Sequence, residues 1–178
     1  MSKTPSRWQQ RFSEYGTPPR ILDPVRSYFG GEIGLDPCTS AENPVGARRF
    51  FTKKENGLLQ PWSAHRGRFA PNTVFVNPPF VDLYPWIAKC IQETIIGHRI
   101  ILIASATGRQ STRDWNILYR CGQLRTRIEI EGRVAFLDAD GIPQTSNNMP
   151  SVLFFLGAHE VPEVDQYFGH LGPVWPDW

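Results

Sequence analysis

The sequence predicts an α/β domain with a mainly parallel sheet and an antiparallel addition at its C-terminal end. Three observations lead there. Thr73-Val74-Phe75-Val76 is an uninterrupted β-branched and aromatic run, the pattern of a strand buried on both faces. A helical stretch from about Leu83 to Ile96 separates it from a second apolar strand, Arg99 to Ala104, which makes one β-α-β unit of expected right-handed crossover. Beyond these, three further β-prone runs crowd toward the C-terminus.

Taken in order, residues 1–15 are a polar extension, and Gly16-Thr17-Pro18-Pro19 forces a rigid turn because each proline fixes its own φ and pushes its predecessor toward extended geometry. A helix is expected from about Pro19 to Phe29, with Ile21, Leu22, Val25 and Phe29 on one stripe and Gly30-Gly31 ending it. Ile33 to Asp36 reads as a short buried strand that delivers an Asp at its carboxyl end. From Cys38 to Pro71 the chain is expected to be mostly loop, with a short helix near Val45 to Arg49. A helix over Thr112 to Cys121 precedes the β-prone runs Thr126–Ile130, Arg133–Leu137 and Val152–Leu156, with a turn signal at Asp138-Ala139-Asp140-Gly141. Residues 158–178 form a tail whose end, Pro173 to Trp178, is expected to pack back as a clasp.

At 178 residues, with 40% hydrophobic and 20% charged side chains, the composition suits one globular domain and argues against wholesale disorder. Cys38, Cys90 and Cys121 are scattered and odd in number, which points to reduced thiols. His65, His98, His159 and His170 form no zinc pattern, so no metal is expected. With no apolar run after Lys3, Arg7 and Arg11 and none of membrane-spanning length, the expected location is the cytoplasm, the host's if the protein is phage-encoded. A formal charge of +2 does not demand nucleic acid, but basic clusters permit it.

In parallel sheets ligands bind beyond the carboxyl ends of the strands, and Asp36 and Asn77 both fall there. The loop Asn77-Pro78-Pro79-Phe80 is the chemical centre of the sequence. Its prolines remove two N–H donors and stiffen the turn, so carbonyls and the Asn amide oxygen make a rigid set of acceptors suited to an –NH2 group. Phe80 offers a flat face to a planar ring. Alone, the tetrapeptide suits a plain turn equally well; its place after the clearest strand favours chemistry. Phe80 equally suits core packing beneath the loop. Asp36 either caps a turn before Pro37 or serves a pocket where a carboxylate meets the ammonium of an amino acid.

These residues resemble the phage-type DNA N6-adenine methyltransferase (Dam) family over roughly residues 15 to 157. The matching pieces are Tyr15-Gly16-Thr17-Pro18-Pro19, Leu35-Asp36-Pro37-Cys38, Asn43-Pro44, Asn56-Gly57-Leu58 with Trp62, and Val76 to Phe80. Trp86-Ile87, Gly132 to Phe136 and Pro150-Ser151 follow. The resemblance implies a Rossmann-like methyltransferase sheet with a C-terminal antiparallel hairpin, S-adenosylmethionine as cofactor and double-stranded DNA as partner. It implies catalysis by Asn77, Pro78, Pro79 and Phe80, and a cofactor site of Tyr15, Thr17, Pro18, Asp36, Pro37, Asn43, Asn56, Gly57 and Leu58. Most adenine methyltransferases carry a Gly-rich turn after the Asp-Pro; here Cys38-Thr39-Ser40-Ala41 has no glycine, which the phage-type family tolerates, and Asn56 stands where an acidic residue is often expected.

An adenine inside a duplex must be flipped out, which makes Phe80 a stacking candidate. Arg109 and Arg113 are the first candidates for phosphate contacts, followed by Arg49, Lys53 and Lys54. A chain this short has no room for a separate recognition domain, so a short or permissive target sequence is expected. Two alternatives stay open: such a loop also suits another planar –NH2 acceptor, RNA adenine or protein glutamine, and the missing glycines and Asn56 suit a catalytically silent nucleic-acid-binding module of the same fold.

Overall fold

Strands that are apolar at every position need cover on both faces, and the fold supplies it. The structure, a computed structural model, describes residues 16–63, 72–106, 111–138, 140–144 and 150–176, the side chains of Val81 and residues 111–113 excepted. Its elements are α1 (Pro19–Tyr28), β1 (Leu35–Thr39), β2 (Arg49–Thr52), β3 (Thr73–Val76), a 3-10 turn (Phe80–Asp82), α2 (Leu83–Ile95), β4 (Arg99–Ser105) and α3 (Ser111–Arg120). There follow β5 (Leu124–Glu129), β6 (Ser151–Leu156), α4 (Val161–Phe168), a 3-10 turn (Gly169–Leu171) and β7 (Val174–Pro176).

The seven strands form one sheet in the order β2-β1-β3-β4-β6-β5-β7. β1 to β5 run in one direction; β6, inserted between β4 and β5, and β7 run against them. Alternation along each central strand divides its side chains between two cores. Phe75, Ile101, Ile103, Leu153 and Phe155 face α1 and α4. Val74, Val76, Ile100, Leu102, Ala104, Val152, Phe154 and Leu156 face α2 and α3.

α1 begins with Pro19 at a position where the missing N–H is harmless, and buries Ile21, Leu22, Val25 and Tyr28. Gly30 and Gly31, at φ 77° and 95°, close it as the sequence suggests, with the Gly31 N–H on the Arg26 carbonyl at 2.7 Å. None of the described helices is long and apolar enough to cross a membrane.

Four expectations are corrected. No helix forms at Val45–Arg49. Instead the Asn43 side-chain amide donates to the Ala47 carbonyl (2.8 Å) and accepts from the Ala47 N–H (3.1 Å), which pins a turn. Arg48 and Arg49 then donate to the Ile33 and Gly34 carbonyls, drawing the chain into β2 alongside β1. Asp36 lies inside β1 rather than at its end; the strand absorbs Pro37 through a register irregularity against β2 between Asp36 and Thr39. Arg133–Leu137 is not a strand, because β6 and β7 already occupy both edges of β5. Leu137 makes only isolated bridges, to Gly16 and Pro143. Finally, the expected tail carries α4 and β7; its end does pack back, as a strand on β5.

Candidate active site at the ends of β1 and β3

β1 has β2 on one side and β3 on the other, so the chain reverses its direction of travel across the sheet between β1 and β3. At such a switch point the loops leaving the two strands diverge and open a crevice beyond their carboxyl ends. Asn77 follows the last residue of β3 directly, and Thr39 ends β1.

The crevice is assembled from distant segments. Asn77 donates its side-chain N–H to the Thr17 hydroxyl at 3.0 Å, and Thr17 is 3% exposed, immediately ahead of the Pro18-Pro19 entry to α1. Thr17 is fixed in turn because its neighbour Gly16 exchanges two backbone hydrogen bonds with Leu137, at 2.7 and 2.8 Å. Past Asn77, the Pro79 carbonyl accepts from the Asp82 N–H (3.3 Å) to start the 3-10 turn that leads into α2. Half-buried Phe80 meets Phe136 edge-on, with ring centroids 5.7 Å apart.

Asp36 is 2% exposed and accepts from the Cys38 N–H at 3.0 Å. Burial pushes its carboxyl from the usual 3.8 up to about 7, against the opposing pull of the Cys38 N–H and the Thr39 and Cys38 side chains. The Cys38 thiol is raised well above its ordinary value, by burial first and by the Asp36 charge second, and it lies against the Asn77 backbone. That contact ties the end of β1 to the loop after β3.

A third wall comes from the segment after β2. Asn56 takes a left-handed conformation at φ 55°, and Gly57 then passes so close to the Pro37 carbonyl that a Cβ there would overlap it. The buried Trp62 indole fastens this approach by donating to the Gly57 carbonyl at 2.9 Å. Leu58 packs on the core beneath α2. The turn after β1 draws its left-handed residues from Asn43 (φ 47°) and Gly46 (φ 69°), in place of a glycine-rich run directly after Pro37.

The structure thus brings together Thr17, Pro18, Asp36, Pro37, Gly57 and Asn77 to Phe80. Asn43 sits in the same loop system with its amide engaged by Ala47. Tyr15 and Arg109 lie outside the described residues, as does the Arg113 side chain, whose backbone is in the first turn of α3. Lys53 and Lys54 are exposed just beyond the carboxyl end of β2, on the rim that carries Asn77. Arg49 opens that strand, level with Leu35, at the opposite end. Phe136, Leu137 and Asp138 join the site unanticipated as site residues; the sequence marked their segment as a β-prone run, as a piece of the family resemblance through Phe136, and as a turn at Asp138.

A side-chain amide, a double-proline turn and a buried carboxyl thus meet at the switch point of a mixed α/β sheet. The chain belongs to the DNA N-6-adenine-methyltransferase (Dam) family, whose profile matches residues 2–165. No curated protein gives a significant match to the chain.

Proposed function

We propose that this protein transfers a methyl group from S-adenosylmethionine to the exocyclic N6 amine of adenine in DNA, on a sheet of the Rossmann-like methyltransferase type. The observation that carries the proposal is the orientation of Asn77. With its N–H donated to Thr17 at 3.0 Å, the plane of the amide is fixed, and its oxygen is the acceptor that would take a hydrogen from an incoming amine. The Pro79 carbonyl already closes the 3-10 turn, so the Pro78 carbonyl is the second acceptor.

The residues around the crevice fit the cofactor. A buried carboxyl at Asp36 suits the ammonium of the methionine moiety, whose positive charge would favour ionisation that burial alone opposes. Thr17 and Pro18 would border that end, and the Asn56-Gly57-Leu58 turn the adenosine. S-adenosylmethionine supplies a methyl group activated on a positively charged sulfur.

Adenine's amine is a poor nucleophile because its lone pair is delocalised into the ring. Asn77 Oδ1 and the Pro78 carbonyl, each accepting one amine hydrogen, favour the pyramidal nitrogen that gains positive charge as the new bond forms. The interaction strengthens as charge develops, so it accelerates transfer rather than merely tightening binding. The product ammonium is acidic enough to lose its proton to water, and no histidine is required. Phe80, steadied by Phe136, would stack on the flipped base, while Lys53, Lys54, Arg109 and Arg113 would meet phosphates.

The test is incubation of the full chain with methyl-labelled cofactor and an equal choice of unmethylated DNA, RNA and protein, followed by analysis of the labelled product. N6-methyladenine in DNA supports the proposal. Label confined to RNA or to protein glutamine, or no label at all, refutes it.

A further inference from the structure

A single exposed isoleucine on a protein surface is ordinary. Ile142 differs in how it is held. It is 57% exposed, yet both of its backbone groups are bonded to one residue: its N–H donates to the Asp138 carboxylate at 2.9 Å, and its carbonyl accepts from the Asp138 N–H at 3.0 Å. The same carboxylate also accepts from the Asp140 N–H at 3.0 Å and from the Gln144 side-chain amide at 2.7 Å. Pro143, next in the chain, restricts the backbone further and bridges to Leu137. A stiff turn is spending its hydrogen bonds on holding an apolar side chain in water.

That turn is bolted to the crevice. Leu137, directly before Asp138, carries the paired bonds to Gly16, next to the Thr17 that anchors Asn77. Phe136, one residue earlier, is the edge-on partner of Phe80. The register sets Ile142 opposite Asp138 and Gln144 opposite Phe136, so Ile142 lies on the face of this ribbon that carries Phe136, the partner of Phe80.

Apolar side chains such as isoleucine, inserted between base steps, hold a duplex open by replacing lost stacking. We infer that Ile142 is a wedge that enters duplex DNA beside the target adenine and supports its extrusion toward Phe80. This rests on the methyl-transfer proposal above. It gives the chain a positioning residue that acts on the duplex and not on the amine.

The wedge matters only where there is stacking to replace. Methylation rates are to be compared on one unmethylated plasmid, intact or heat-denatured to single strands, for the full-length wild type, Ile142→Ala and Ile142→Met. The expected result is a fall in kcat/KM on duplex of roughly tenfold or more for Ile142→Ala, with single-strand rates within about twofold of wild type and duplex activity retained by Ile142→Met. Cofactor affinity and Tm should be unchanged, since the side chain is exposed. Equal losses on both substrates, or no loss on duplex, would overturn the wedge while leaving methyl transfer intact. So would a wild type that methylates only denatured DNA. A wild type that labels neither form would overturn the methyl-transfer proposal, and the wedge with it.

Discussion

Asn77 and Thr17 are 60 residues apart in sequence and 3.0 Å apart in the fold, the threonine hydroxyl accepting the asparagine's side-chain N–H. A free primary amide can present either end to a ligand. Tethering the nitrogen decides which, and does so from a buried hydroxyl that loop motion will not displace.

Thr17→Val keeps the shape and removes the acceptor. The Asn77 N–H then loses the Thr17 acceptor, a hydrogen bond worth about 1 kcal/mol, and the amide is held less firmly in its plane. We expect kcat to fall on the order of tenfold or more with little change in KM for DNA, and Thr17→Ser to stay near wild type. Steady-state kinetics on the three proteins decides; a valine variant with normal kcat removes the tether from the account.

Gly57 passes against the Pro37 backbone with no room for a methyl group, and backbone yields less readily than a side chain. Gly57→Ala should therefore cost about 1–3 kcal/mol of stability and push the Asn56–Leu58 turn away from β1. Thermal melts would show the first effect, and a calorimetric titration with S-adenosylmethionine a weakened Kd. An alanine variant with unchanged Tm and Kd would show that this close approach is dispensable.

Asp36 and His159 make opposite demands on pH. Between about pH 4 and 7 the unfolded Asp36 carboxyl is ionised while the folded one keeps its proton. Its contribution therefore makes stability fall as pH rises through that window and level off above it, at about 1.4 kcal/mol per pH unit at most. Asp36→Asn should relieve the fall: relative to wild type it gains stability at pH 7.5 and not at pH 4. His159 is held down to about 3 by burial and then by the Arg99 charge, and its ring nitrogen shares a 2.8 Å hydrogen bond with the Tyr28 hydroxyl. Below about pH 6.5 the unfolded imidazole takes a proton that the folded one refuses, so this group makes stability fall with acidification toward pH 3. His159→Gln should flatten that acid limb. Paired denaturant titrations at several pH values would test both; equal wild-type and variant pH slopes would contradict the burial of these groups.

Much of this was legible in the sequence because it is local. β3 could be placed to the residue since Thr73–Val76 is an unbroken β-branched and aromatic run stopped by Asn77 and a proline pair. α2 and β4 followed from a change of apolar period. Elements whose existence depends on a partner were not legible. β2 is four residues long and forms because Arg48 and Arg49 find the Ile33 and Gly34 carbonyls. β7 contains a proline and reads as tail until β5 offers an edge. Conversely, Arg133–Leu137 has strand composition but makes only isolated bridges, from Leu137 to Gly16 and Pro143, because β5 beside it is already paired on both sides by β6 and β7. The site divides in the same way: Asn77 to Phe80 stood out as a rigid acceptor loop, whereas the Thr17 tether, the Phe136 support and the stiff turn at Asp138 are long-range relationships that no spacing encodes.

The central claim is that Asn77 captures the target amine as it is methylated. It is tested most directly by single-turnover transfer to unmethylated duplex DNA at saturating cofactor, for wild type and Asn77→Ala, with N6-methyladenine as the measured product. We predict a loss of roughly 10²–10³-fold or more in rate, with Tm and cofactor affinity close to wild type. A variant that forms N6-methyladenine at the wild-type rate would contradict the account.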